Sequence, residues 1–107
     1  MINIQKFGLE IDVIENINSI ISSFNEIDEA VLFGSRVKGS FKIGSDIDVA
    51  LKGKDLNTAT LNKIYDRLEE LYLPYTIDLC IFDNIDNIDM LNSINNTGQV
   101  LFKRQKS

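Results

Sequence analysis

Two aspartates stand on alternate positions of one apolar run, Asp46 and Asp48 in "DIDVAL", and a third, Asp78, interrupts another, "YTIDLCIF". If both runs are strands, residues two apart share a face. Asp46 and Asp48 then project together about 7 Å apart, and Asp78 takes the matching face of its own strand. Neighbouring strands would gather three carboxylates at the edge of an antiparallel or mixed sheet. Without neutralisation such a cluster is costly, because like charges and partial desolvation both oppose ionisation. A divalent cation removes that cost. The chain has no histidine and one cysteine, Cys80, so the donors are oxygens and the ion they select is hard, Mg²⁺ or Mn²⁺.

Magnesium held by a few carboxylates usually completes its shell with water and substrate phosphates. A place for those phosphates stands ten residues before the aspartate pair, at Gly34-Ser35. This dipeptide follows an apolar run and opens a helical turn, where free backbone N–H groups attract an anion. The glycine permits close approach and the serine adds a hydroxyl donor. Arg36, Lys38 and Lys42 bring cationic side chains into the same loop, able to balance a leaving pyrophosphate; solvated surface is the alternative for each. Ser45 reads equally as a loop cap or as a functional hydroxyl. Two look-alikes fail. "GSRVKGSF" has the glycine spacing of a P-loop, but Ser40 stands where that motif needs lysine. "DIDVAL" begins like an EF-hand loop, but Ala50 and Leu51 replace an oxygen ligand and the turn glycine.

The elements that must hold these residues follow from periodicity. Ile14, Ile17, Ile21 and Phe24 recur at helical spacing, which predicts an amphipathic helix over residues 10–24. "EAVLF" reads as a short buried strand ending at Gly34, and "DIDVAL" as the next, with Ile47, Val49 and Leu51 opposite the aspartates. Leu61, Ile64, Leu68 and Leu71 mark a helix over 57–72, stopped by Pro74. "YTIDLCIF" is a third strand. A third helix spans 86–96 with Gly98 just past its end, and "QVLF" closes the chain as a short strand. The expected class is α+β in two layers, a small mixed sheet packed against helices, as a single domain over residues 1–107.

Composition narrows the function. Sixteen acidic against eleven basic residues give a net charge of −5, which opposes direct nucleic-acid binding, since phosphate-backbone contacts rely on clustered Lys and Arg. The tail "KRQK" reads as a solvated end. No apolar run approaches the ~20 residues of a membrane span. The start "MINIQKFGLEID" lacks the pattern of a signal peptide, and a lone Cys80 suits a reducing compartment, so a cytoplasmic location is expected.

Gly34-Ser35, ten residues, Asp46-Ile47-Asp48 and a later acidic strand residue in "TIDLCIF" resemble the signature of the DNA polymerase beta-like nucleotidyltransferases. The fuller string "GSRVKGSFKIGSDIDVAL" and the small size resemble its minimal nucleotidyltransferase (MNT) branch. The resemblance implies the polymerase beta-like fold, with Asp46 and Asp48 binding two Mg²⁺ ions and Asp78 sharing one. It also implies that Ser35 and the Gly34 turn hold the phosphates of ATP. The implied reaction is in-line attack by an acceptor hydroxyl on the α-phosphorus, which leaves AMP on the acceptor and releases pyrophosphate. Val37 and Lys38 stand where alanine and arginine are frequent in the family, keeping size class and charge.

A chain this short has no room for an acceptor-binding domain. By resemblance the missing surface belongs to another chain, a HEPN-domain toxin that the nucleotidyltransferase neutralises as its antitoxin by binding it and adenylylating a tyrosine. Ile20 and Met90 are candidate contacts, against core packing. Two rivals remain open: an aminoglycoside-like adenylyltransferase acting on a small-molecule hydroxyl, and a non-catalytic antitoxin that only binds.

Overall fold

The computed structural model describes residues 5–42 and 44–105, giving only the backbone of residues 5 and 6. The first four residues, which enter the expectation about the chain's start, lie outside the described residues, as do Ile43 of the glycine loop and Lys106 of the basic tail.

A small antiparallel hairpin comes first, β1 (Gln5–Lys6) and β2 (Leu9–Glu10), turning at Phe7 and Gly8 with φ of 58° and 73°. Strands of two residues show no alternation, so periodicity does not reveal them. Helix α1 (Ile11–Ser22) buries Ile17, Ile20 and Ile21; Ile20 is therefore core. Strand β3 (Glu29–Phe33) ends at Gly34, and one helical turn, α2 (Ser35–Lys38), follows it. Strand β4 (Ile47–Lys52) begins one residue after Asp46. Helix α3 (Thr58–Glu69) starts at Asn57, whose side-chain oxygen accepts from the Thr60 N–H at 2.9 Å and so satisfies an N-terminal donor. It stops before residue 72, because the chain turns through Tyr72 at φ 51°, ahead of Pro74. Strand β5 (Ile77–Ile81), a 3₁₀ turn (Phe82–Asn84), α4 (Ile88–Thr97) and β6 (Gln99–Lys103) complete the order.

The main sheet has the order β5-β4-β3-β6, with β4 antiparallel to β3, parallel to β5, and β6 antiparallel to β3. A parallel neighbour needs a crossover, which α3 supplies. Helices α1 and α3 cover one face through a cluster containing Ile17, Ile21, Ile64, Leu68, Ile47, Val49 and Leu51. On the other face Ile94 of α4 packs against Val31, Phe33 and Ala50, with Met90 beside them. The α+β class and mixed sheet are as expected; α4 adds cover on the face opposite the two-layer core.

Ile47, Val49 and Leu51 have no exposed surface, and burying each such side chain stabilises the fold by about 1.5–3 kcal/mol. That burial sets the register of β4. A one-residue slip would put Asp48 into the core and three aliphatic side chains outside it. The apolar half of "DIDVAL" thereby aims its carboxylate half.

The basic tail is not a free end. Arg104 donates from Nε to the Ile27 carbonyl at 3.1 Å and from Nη2 to those of Phe24 and Ser22 at 2.9 and 3.3 Å. The Ser22 carbonyl ends α1 and the other two follow it, where outward-pointing acceptors attract a cation. Among the described residues no helix is long and apolar enough to cross a membrane.

Candidate active site

Pairing of the central strands puts the expected residues side by side. Asp48 is the register partner of Phe33 on β3 and of Asp78 on β5. Gly34 follows Phe33 directly, so the glycine-serine turn and two of the carboxylates lie across three adjacent strands. Asp46 precedes β4 by one residue, near enough to Asp78 for its charge to act on that carboxyl.

The cluster is under electrostatic load. Partial burial raises the pKa of the Asp48 carboxyl above its ordinary 3.8, helped by the charges of Asp78 and then Asp46. Asp78 is raised as well, by desolvation first, then by the charge of Asp46. Among the described residues no three His, Cys, Asp or Glu side chains form a closed metal cluster. The same three carboxylates nevertheless sense one another, and an all-oxygen, mutually repelling donor set fits a hard divalent cation.

Gly34 has φ 85° and ψ −154°, a conformation open essentially to glycine alone. It caps α2, whose first residues Ser35 and Arg36 have no intrahelical acceptor for their N–H groups. The first bonded amides are those of Val37 and Lys38, both at 3.2 Å from the Gly34 carbonyl. The turn therefore presents free donors at the end of β3, beside Asp48. Lys38 and Lys42 are exposed on the same loop, placed to meet an anion.

Arg36 is elsewhere. It is 3% exposed, with Nε and Nη2 donating to the Ser45 carbonyl at 3.2 and 2.7 Å and Nη1 donating to the Phe7 carbonyl at 3.0 Å. Its guanidinium carbon lies 4.9 Å from the centre of the Tyr75 ring and 5.5 Å from that of Phe41. Expected among the phosphate-facing cations, it instead ties the hairpin, α2 and the loop before Asp46 into one unit. Ser45 belongs to the same fastening: its hydroxyl accepts from the Lys42 N–H at 2.7 Å, which is the loop-cap alternative. The partners of Arg36 come from positions far apart in the chain, so no local pattern announces its burial.

Cys80 shares the Asp78 face, and its thiol donates weakly to the Val49 carbonyl at 3.7 Å. Burial, and then the charges of Asp48 and Asp78, push its pKa up to about 11. It is a small packing residue that stays protonated at neutral pH.

Beyond Asp78 a cleft of about 510 Å³ opens between the end of α3 and the start of β5, lined among others by Tyr65, Glu69, Tyr72, Tyr75 and Asp78. Periodicity marks none of these tyrosines as functional. The available signal is clustering, since all three tyrosines of the chain fall between positions 65 and 75.

The mixed sheet thus carries a glycine-serine turn packed on one strand-borne carboxylate, with a second carboxylate in register on the neighbouring strand. Residues 15–107 match the family model described as polymerase beta, nucleotidyltransferase, and the chain belongs to that family. No protein of curated function matches the sequence. Several solved structures share the fold. One is a toxin–antitoxin with AMP-PNP, at 20% identity and a TM-score of 0.70 over 86% of this chain and 74% of that one. The toxin–antitoxin MntA–HepT gives 17% and 0.65 over 88% and 73%. The tri-AMPylated Shewanella oneidensis HEPN toxin in complex with MNT antitoxin gives 20% and 0.59 over 86% and 73%.

Proposed function

We propose that this chain transfers AMP from ATP to a hydroxyl, by resemblance a tyrosine hydroxyl, of a HEPN-domain toxin, and so acts as the antitoxin of the pair. The observation that carries the reading is the meeting of Asp46, Asp48 and Asp78 beside the Gly34 turn. Membership of the nucleotidyltransferase family supports the activity. The likeness to toxin–antitoxin complexes, one with AMP-PNP and one with an AMPylated toxin, supports the partner and the nucleotide.

Asp46, Asp48 and Asp78 would hold Mg²⁺, or Mn²⁺ in its place. When bound, the ion supplies charge neutralisation and Lewis acidity at the α-phosphate. The chain's own groups do the rest. Free N–H groups of the Gly34–Ser35 turn, with the Ser35 hydroxyl, hold the terminal phosphates, and Lys38 balances their charge. The acceptor oxygen forms a bond to the α-phosphorus as the bond to the bridging oxygen breaks, and pyrophosphate departs toward the turn. Asp78, with the ion it would hold, favours the deprotonated form of the acceptor hydroxyl.

The test is transfer of label from α-³²P-ATP, with Mg²⁺, to the co-purified HEPN-domain partner, comparing wild type with Asp46→Asn and Asp78→Asn. Label on the partner that both substitutions abolish is the expected result. A stable complex that binds ATP and transfers nothing overturns the catalytic reading and leaves a binding antitoxin.

A further inference from the structure

The strand order gives the site a direction. With the terminal phosphates at the Gly34–Ser35 turn on the end of β3 and the α-phosphate over Asp48 on β4, in-line displacement requires the acceptor oxygen to arrive from the far side. That side is β5, one of the two edge strands of the sheet, and the cleft that includes Asp78 lies along it.

The walls of the cleft narrow its occupant. Tyr65 closes part of the strand edge: its hydroxyl accepts from the Leu79 N–H at 2.7 Å and donates to the Leu79 carbonyl at 3.3 Å. An occupant cannot pair with β5 there as an added strand and must bind through side chains. Tyr72 is 91% exposed, carried on the left-handed turn that ends α3, φ 51°. An exposed tyrosine lining a cleft has the form of an anchor for a protein partner. The charge is of one sign: Glu69 and Asp78 line the cleft, and the chain carries a net charge of −5.

Resting on the adenylyltransferase reading above, we propose that this cleft docks the acceptor protein through a basic segment, with Tyr72 and Glu69 as its anchors, and delivers the acceptor hydroxyl to Asp78. Basic side chains beside that hydroxyl answer the acidic wall, and the tyrosines that line the cleft pack against the side chain that bears it.

The test compares wild type, Tyr72→Ser, Glu69→Lys and, as a control exposed on α1 and outside the cleft lining, Glu15→Lys. Two quantities are read for each: affinity for the purified HEPN-domain partner by calorimetry without nucleotide, and the KM for that partner in the α-³²P-ATP transfer assay. Tyr72→Ser and Glu69→Lys are expected to weaken affinity and raise the KM by about tenfold or more, while Glu15→Lys matches wild type. Added salt should raise the wild-type KM and leave that of Glu69→Lys flatter. Affinity and KM in Tyr72→Ser and Glu69→Lys equal to the control overturn the docking site even when wild type transfers label. If wild type transfers nothing, the catalytic reading falls, and the affinity series alone decides the docking surface.

Discussion

A Cβ on Gly34 would stand 2.5 Å from Oδ2 of Asp48. The turn that would hold phosphate and the carboxylate that would hold metal are thus in contact through a position with no side chain. The antiparallel pairing of Phe33 with Asp48 enforces it, since the residue after Phe33 must pass over the end of β4.

Gly34→Ala should therefore fail twice. Its φ of 85° with ψ −154° costs an L-residue about 1–3 kcal/mol, and the new methyl displaces the Asp48 carboxylate. The expected result is a lowered Tm together with a fall in transfer on the order of 100-fold, the scale of an ångström's misplacement. Thermal melts beside single-turnover transfer below the melting range check it. Wild-type turnover in a folded Gly34→Ala protein would show that the turn and Asp48 can move independently.

Asp48 and Asp78 are both raised above the ordinary carboxylate value. Groups with raised folded-state pKa contribute stability that is complete below the unfolded value, near 3.8, and is lost as pH rises through the folded value. In chelator each carboxyl therefore opposes folding once pH has risen through its raised value. Asp48→Asn is then expected to melt higher than wild type in EDTA at pH 7, with the gap closing as pH falls toward 4. Mg²⁺ should narrow it from the other side by stabilising only wild type. Equal melting at all pH values would mean that the carboxylates do not burden the fold.

Arg36→Met separates the two roles the loop arginine could have. Removing the guanidinium leaves the carbonyls of Ser45 and Phe7 without their charged donor, a loss of about 1.5–3 kcal/mol. The chief expected effect is on Tm, with ATP affinity at low temperature close to that of wild type. Lysine should rescue poorly, since it lacks the fork that reaches both carbonyls. Unchanged Tm with weakened ATP binding would return Arg36 to the phosphates.

Cys80 should resist alkylation. With its pKa near 11, its thiolate fraction at pH 8 is about 100-fold below that of an ordinary cysteine. Iodoacetamide at pH 8 is expected to leave the native chain unmodified and to label it fully in urea, read by intact mass. Rapid native labelling would place the thiol in water.

The legible parts of the sequence were those written by period. "EAVLF" gives β3 as it stands, and "DIDVAL" gives β4 to within one residue at each end, because aliphatic alternation and the turn glycine agree. The matching faces of Asp48 and Asp78 also anticipate their register, since β4 and β5 are neighbours. What escapes is tertiary. Arg36 reads as a surface cation until Phe7, Ser45 and Tyr75 surround it, and Arg104 reads as a loose tail until the carbonyls after α1 receive it. A buried arginine is defined by acceptors distant in sequence.

Gly98 gives a last case, where sequence identifies the residue and geometry changes the reason. A glycine just past a helix suggests a left-handed cap, but Gly98 has φ −60° and ψ 147°, which alanine adopts freely. What excludes a side chain is space. A Cβ would collide with the Ile94 carbonyl oxygen and lie 2.6 Å from Cγ1 of Val31, where α4 meets β3. Gly98→Ala gains about 0.4–1 kcal/mol by restricting the unfolded chain and loses about 1–3 kcal/mol to overpacking, so it is expected to lower stability by a kilocalorie or so. Val31→Ala frees only the side-chain part of the clash. The double variant should therefore recover part of the loss, seen as a coupling energy in urea melts. If Gly98→Ala is more stable than wild type, α4 is able to shift on the sheet; full recovery in the double variant would assign the whole clash to Val31.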